Sequence, residues 1–334
     1  MSLNKKGQTK KILLLAFLVL VVCLPLIMLN YSYGVMICCF IEIYIIATSG
    51  FDILWGYSGQ ISMGHAGFYA IGAYGTVLLN KYFGIPVLLS MVAASILACG
   101  VGALLAYPAS KLRYAFLSLA TIAFNEIIYQ VITHSPGNIT GNFLGVFAEP
   151  ISIFGFEFSD YTSFYYLGLV LVILFVMAKV GLVNSRVGRA LQAVKQNAHA
   201  ADGMGVNVRK YKVIAFAVSA FYCAFAGGMY AALAGYISPD TFQRTTSVQF
   251  LVMLLLGGSC SVAGSIIGST AILIMNEFLR SAQQYQLLVY GALILLVIMV
   301  MPRGLLGEWT DLIKKIAQKR EKKSANVKGG AENA

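Results

Sequence analysis

The sequence predicts an all-α integral membrane protein, a polytopic bundle of about eight to ten spanning helices with both termini in the cytoplasm. Three observations carry that expectation. Of 334 residues 59% are apolar and only 11% charged, with a mean hydropathy of +0.78, whereas a soluble domain has about 25% charged residues. Runs free of Asp, Glu, Lys and Arg cover 53–80, 82–110, 213–239 and 245–276, each longer than the ~20 residues that cross a bilayer. The basic residues, finally, are segregated along the chain in the way that fixes orientation in a membrane.

Taken in order, Lys5, Lys6, Lys10 and Lys11 precede the first apolar run, as in a signal peptide. That run ends at Pro25-Leu26-Ile27-Met28-Leu29-Asn30 without a small-residue cleavage site, so it reads as a retained helix over 12–29. Turn residues divide the rest into spans at 34–54, 61–80, 86–109, 114–132, 163–180, 213–234, 247–257, 264–279 and 285–301. The 247–257 stretch is too short to cross alone and runs into a small-residue turn, Gly257 to Gly264, which predicts a broken or re-entrant pair.

Alternating from a cytoplasmic N-terminus places 21 of the 24 basic residues inside, Lys179 among them with the loop 181–212; Lys81, Arg244 and Arg280 fall outside. The loop 133–162 carries Glu149, Glu157 and Asp160 but no Lys or Arg, so it reads as external. The organisation is therefore a cytoplasmic segment 1–11, a membrane domain 12–307 and a charged cytoplasmic tail 308–334. The formal charge of +11 is an orientation signal and not a nucleic-acid-binding face.

Several chemistries are excluded. The six cysteines lie in apolar stretches without metal-ligand spacing and read as buried free thiols. His65, His134 and His199 form no paired motif, and the dipeptide Gly-Lys never occurs, so the chain has no Walker A loop of its own.

Three polar regions stand out. Residues 56–75 hold six glycines, with Gly64, Gly67 and Gly75 along one helix face. Such faces let membrane helices approach closely. The front of this segment, Ser58, Gln60, Ser62 and His65, is polar and costs free energy in lipid unless paired or wet, which suits either a satisfied interior or a partly unwound stretch lining or gating a transport path. Glu42, Glu126 and Glu277 lie inside spans, with Asp52 nearer an end; each is either a neutral or hydrogen-bonded interior group or a functional one, and Asn125-Glu126 is the candidate weighed most evenly. In the inner loop, Val187, Leu191, Val194, Ala198 and Ala201 recur at helical spacing, opposite Arg189, Gln192, Lys195, His199 and Asp202. This predicts an amphipathic helix over 188–203, ended by Gly203 and Gly205, that lies on the bilayer surface or docks against a partner.

Ala200-Ala201-x-x-x-Gly205 resembles the EAA-x-x-x-G loop of permease subunits of bacterial ABC importers. The stretch from Val187 to Val194, then Met204 to Asn207 and Tyr211-Lys212, is similar to permeases of the branched-chain amino-acid (Liv) uptake family. So are Gly56 to Tyr74, Leu119 to Glu126, Thr140-Gly141, Ser238-Pro239 and the run from Leu256 to Gly264. The resemblance spans about 34–307, and the length, basic first helix and long outer loop look more like its LivM-type than its LivH-type subunits. One departure is that His199 stands where the motif has glutamate.

This resemblance implies a non-enzymatic subunit without a cofactor of its own, in the bacterial inner membrane. Its partners would be a LivH-type permease, two cytoplasmic ATPases and an external amino-acid-binding protein. Gly188, Arg189, Ala200, Ala201, Asp202 and Gly205 would contact the ATPases; Ser58, Gln60, Ser62, His65, Asn125 and Glu126 are the candidate path residues. A urea or short-amide permease, or a proton-coupled carrier using Glu126 or Glu277, remains open as an alternative.

Overall fold

The structure, a computed structural model, describes residues 22–25, 32–110, 114–153 and 156–300. The expected helix at 12–29, both termini and the tail therefore fall largely or wholly outside the described residues.

Among the described residues, eleven α-helices of six residues or more follow one another: α1 Ser32–Asp52, α2 His65–Phe83, α3 Val87–Ala109, α4 Tyr114–Thr133, α5 Tyr161–Asn184, α6 Arg186–Gln196, α7 Ala198–Gly203, α8 Val208–Ala234, α9 Arg244–Gly257, α10 Val262–Phe278 and α11 Gln286–Val300. A π turn, Ile53–Tyr57, extends α1. Among the described residues, five helices are long and apolar enough to cross a membrane, and α9, α10 and the apolar part of α11 are shorter. The chain is thus a polytopic helical membrane bundle. Two small antiparallel pairings lie at one end: β1 (Val146–Phe147) with β4 (Tyr236–Ile237), and β2 (Ser152–Ile153) with β3 (Phe156–Glu157).

The core is the crossing of α2, α3 and α8. Lipid tails are as apolar as leucine, so burial alone does not drive spanning helices together; close packing does. A Cβ on Gly72 would stand 1.8 Å from the Ala224 carbonyl oxygen, and one on Gly227 would stand 2.0 Å from that of Tyr69. Helices α2 and α8 therefore touch backbone to backbone. Gly75 makes room for the Ala94 methyl group of α3, 2.9 Å from its Cβ position, while Gly64 and Gly67 admit Thr121, Phe124 and Asn125 of α4. Phe68 fills the space between, against Phe124 and Phe216.

The short pair α9 and α10 forms a hairpin closed on glycine: Cβ atoms on Gly257 and Gly268 would lie 1.9 Å and 1.8 Å from the carbonyl oxygens of Gly264 and Met253. Its turn passes through Gly258 (φ 100°) and Cys260 (φ 60°). At ~1.5 Å per residue, fourteen residues of α9 reach only ~21 Å, short of a ~30 Å core.

Three expectations need correction. The amphipathic helix over 188–203 is two helices, because Asn197 leaves helical backbone (φ −157°, ψ 105°) and its side chain caps α7 by accepting from His199 and Ala200 N–H. The third span is helical only from His65, its first residues being unwound. Lys179 is not a loop cation: it lies inside α5, fully buried.

Candidate functional site

The polar residues that a membrane helix accommodates least easily gather at two places. The first is a set of breaks in the spanning helices. At the end of α1, Asp52 is fully buried and its Oδ2 lies 2.9 Å from Lys179 Nζ of α5. Lys179 also donates to Ser265 Oγ on α10 at 3.1 Å. The other Asp52 oxygen accepts the Cys260 N–H at 2.8 Å. Gly56 lets that happen, since a Cβ there would lie 2.0 Å from Asp52 Oδ1. The Gly56 carbonyl accepts from Cys260 Sγ at 2.9 Å and from Lys195 Nζ of α6 at 2.5 Å. Cys260 is exposed, not buried as the sequence suggested. Its partly desolvated thiol has a pKa above the usual value, against the opposing pull of the Lys195 ammonium, so at neutral pH it is a thiol that donates.

From the π turn the chain runs unwound to His65. Ser58 donates to the Leu54 carbonyl and receives a hydrogen bond from Gln60 Nε2, which also reaches the Lys212 carbonyl. His65 Nδ1 pairs with Ser62 Oγ and Nε2 with Ser219 Oγ of α8, at 2.9 and 2.7 Å. The free amides of Met63 and Ala66 donate to Thr121 of α4 and Ser247 of α9. Non-helical backbone at membrane depth is tolerated where it is buried in protein, and Ser58, Gln60, Ser62 and His65 are all buried.

The second place is the outer face of α4. Asn125 turns inward, its buried Oδ1 without a hydrogen-bond partner. Glu126 is exposed, as are Gln130 and His134 on following turns. Together with Ala123, Ile127 and Val131 they line an open groove of about 620 Å³. The structure therefore separates the predicted path residues: five are interior, and Glu126 faces out of this chain.

Of the predicted partner-contact residues, Gly188 and Ala201 are buried. Gly188 lets α6 fold back on α5, its Cβ position 1.9 Å from the Val183 carbonyl oxygen. Arg189, Ala200 and Asp202 are exposed, and Gly205 turns the chain at φ +83°. A cleft of about 1030 Å³ is lined by His199, Asp202 and Gly205 together with Gln60, Ser110 and Lys212. It connects the α7 turn to the unwound segment.

Glu42 is buried between α1 and α5, its Oε2 in the space a Cβ on Gly168 would need, and neither oxygen has a hydrogen-bond partner. Glu277 accepts from Tyr33 Oη at 2.6 Å, with Arg280 3.5 Å away. From sequence Lys179 reads only as an inside cation and Lys195 only as part of the polar face of the loop helix, and Ser219 carries no expectation. A buried Asp in a span demands a cation, and that signal alone could have pointed to Lys179.

Interrupted helices in a spanning bundle are a recurrent feature of membrane transporters. A family model described as branched-chain amino acid transport system / permease component matches residues 34–298. The chain is 32% identical to the high-affinity branched-chain amino acid transport system permease protein LivM of Escherichia coli K12, over 89% of this chain and 75% of that protein. It is 26% identical to the probable branched-chain amino acid transport permease protein LivM of Methanocaldococcus jannaschii, covering 82% and 93% of the two chains. It is 25% identical to the Escherichia coli K12 permease protein LivH, covering 79% and 91%. No solved structure matches. The chain belongs to the branched-chain amino acid transport permease family and is of the LivM type, a transporter subunit and not an enzyme.

Proposed function

We propose that this permease works in the bacterial inner membrane as one of two spanning subunits of an ATP-driven importer of branched-chain amino acids. Its partner is a LivH-type permease, two ATPases bind its cytoplasmic end, and an external binding protein delivers the solute. The helices α6 and α7 are the ATPase contact, with Arg189, Ala200, Asp202 and Gly205 at the surface, Gly188 and Ala201 seating them, and His199 in the place of the usual carboxylate.

The observation that carries the path is Glu126. A carboxylate on the outer face of a spanning helix is costly against lipid, so that face is covered by the second permease, and the groove along Ala123, Glu126, Gln130 and His134 is this chain's side of the solute path. The buried segment with Ser58, Gln60, Ser62 and His65, backed by Asn125, is the gate that moves as the path opens. Few charges in the path suit an apolar amino acid.

Reconstitution of both permeases, the ATPases and the binding protein in proteoliposomes tests this. Uptake of leucine, isoleucine or valine that needs ATP and survives collapse of the proton gradient is the expected outcome. Uptake of urea alone, or uptake lost with the gradient, overturns it.

A further inference from the structure

Among the described residues, the side-chain hydrogen bond between α6 and the interrupted helices is made by Lys195. Lys195 sits in the last turn of α6, and its ammonium reaches the carbonyl of Gly56 in the π turn. A π turn leaves backbone groups out of the ordinary ladder, and here the freed carbonyl is held by Lys195 and by Cys260 from the α9–α10 turn. The chain is shaped around the lysine stem. Gly59 has φ +73°, and a Cβ there would lie 3.1 Å from Lys195 Cγ. Lys195 Nζ is also 3.6 Å from Cys260 Sγ. Through Asp52, the same turn is tied to Lys179 of α5 and Ser265 of α10. The unwound segment that begins at Ser58 ends at His65, where α2 starts.

We propose that Lys195 is a positioning residue for transport: by gripping the Gly56 carbonyl it transmits displacement of α6 to the π turn, the unwound segment and the α9–α10 turn together. Other described contacts of α6 are with α5, where Gly188 lies against Val183 and Arg189 donates to the Asn184 carbonyl, and with the apolar core through Leu191; none of them is a polar bond to the π turn. A charge-assisted hydrogen bond to a backbone carbonyl is directional and conveys both push and pull. The inference rests on the reading of α6 and α7 as the ATPase contact.

The test uses the complete reconstituted complex with Lys195→Met and Lys195→Arg. Three quantities are read: ATPase subunits retained per permease, ATP hydrolysed with loaded binding protein, and leucine imported per ATP. Lys195→Met is expected to keep the ATPases and to hydrolyse ATP within about twofold of the parent, while leucine per ATP falls at least tenfold; Lys195→Arg restores half or more. An unchanged ratio of leucine to ATP in Lys195→Met overturns the inference and leaves the docking reading intact. ATPases that fail to associate with the parent permease overturn the docking reading, and the inference with it.

A second measurement covers a variant with low yield. Alkylation of Cys260 by N-ethylmaleimide is followed in the parent complex, nucleotide-free and vanadate-trapped. A several-fold difference in rate between the two states that disappears in Lys195→Met is the expected result. Equal rates in the two parent states, or a difference that persists in the variant, overturn the inference.

Discussion

Two crossings in this bundle are built in opposite ways. Where α2 meets α8, Gly72 and Gly227 remove side chains and the backbones touch. Where α1 meets α5, α6 and the α9–α10 turn, contact is made by Asp52, Lys179, Lys195 and Cys260 through polar and ionic bonds. A close-packed crossing has one good arrangement, since dense interiors deform little. A polar crossing has partners that can be exchanged, provided no group is left bare in a medium of low dielectric. The glycine crossing is thus the frame, and the polar crossing is where two states can be built.

The sharpest way to break the frame is Gly72→Leu. The Ala224 carbonyl stands 1.8 Å from the new Cβ and cannot yield without parting α2 from α8, so the cost is at or above the top of the ~1–3 kcal/mol seen for overpacking. The yield of monodisperse permease after detergent extraction should fall about tenfold or more. Gly100→Leu on α3, where a Cβ meets nothing within 4 Å, should leave the yield unchanged.

Next in size is Lys179→Met. It strands the fully buried Asp52 carboxylate, and removing one member of a buried pair costs about 3–5 kcal/mol. Thermal unfolding in detergent should shift well below that of the parent. The double variant Asp52→Asn with Lys179→Met keeps an oxygen for the Cys260 N–H and removes both charges, so it should recover most of the loss. A double variant no better than Lys179→Met would show that the pair acts through something other than its charge.

The two crossings were not equally legible in the sequence. The glycine spacing over 64–75 and the short apolar runs before and after Gly257–Gly264 pointed to close helix approach and to a hairpin, because backbone contact leaves a mark in residue size. Nine of the ten expected spans coincide with described helices. The polar crossing left no such mark. Lys179 and Asp52 are 127 positions apart, and the positive-inside count, which treats every lysine near a span end as a loop residue, assigned Lys179 to the wrong side of the boundary. The break at Asn197 was hidden because Ala198 and Ala201 keep the apolar period across it, whereas capping by an Asn side chain is a local competitor that periodicity does not register. Asn125 and Glu126 are neighbours in sequence, yet one faces inward and the other outward; consecutive residues on a helix point in directions about 100° apart, so a face boundary can fall between them.

That break yields a smaller prediction. Asn197→Ala removes the acceptor for two amides, a loss of about 1 kcal/mol, confined to α7. Hydrogen exchange at His199 and Ala200 should accelerate about fivefold, while the melting temperature of the whole permease stays near that of the parent. Equal protection in the variant would mean that packing of Ala201, and not the cap, holds α7.

The smallest effect on stability is expected from Glu126→Gln. The side chain is exposed and makes no described hydrogen bond, so the isolated permease should melt as the parent does, within the ~0.5 kcal/mol of an ordinary surface change. Its effect should appear only in the assembled transporter. A carboxylate beside the path can hold the ammonium group of an amino acid, which a neutral amide of the same shape does only weakly. Uptake at low leucine should therefore fall several-fold, with a smaller change at saturating leucine, while ATPase retention is unaffected. Equal loss at all leucine concentrations together with loss of the LivH-type partner would place Glu126 in the subunit contact and not in the path. That result would also sharpen the contrast between the crossings, for it would make the outer face of α4 a third one, completed only by a second chain.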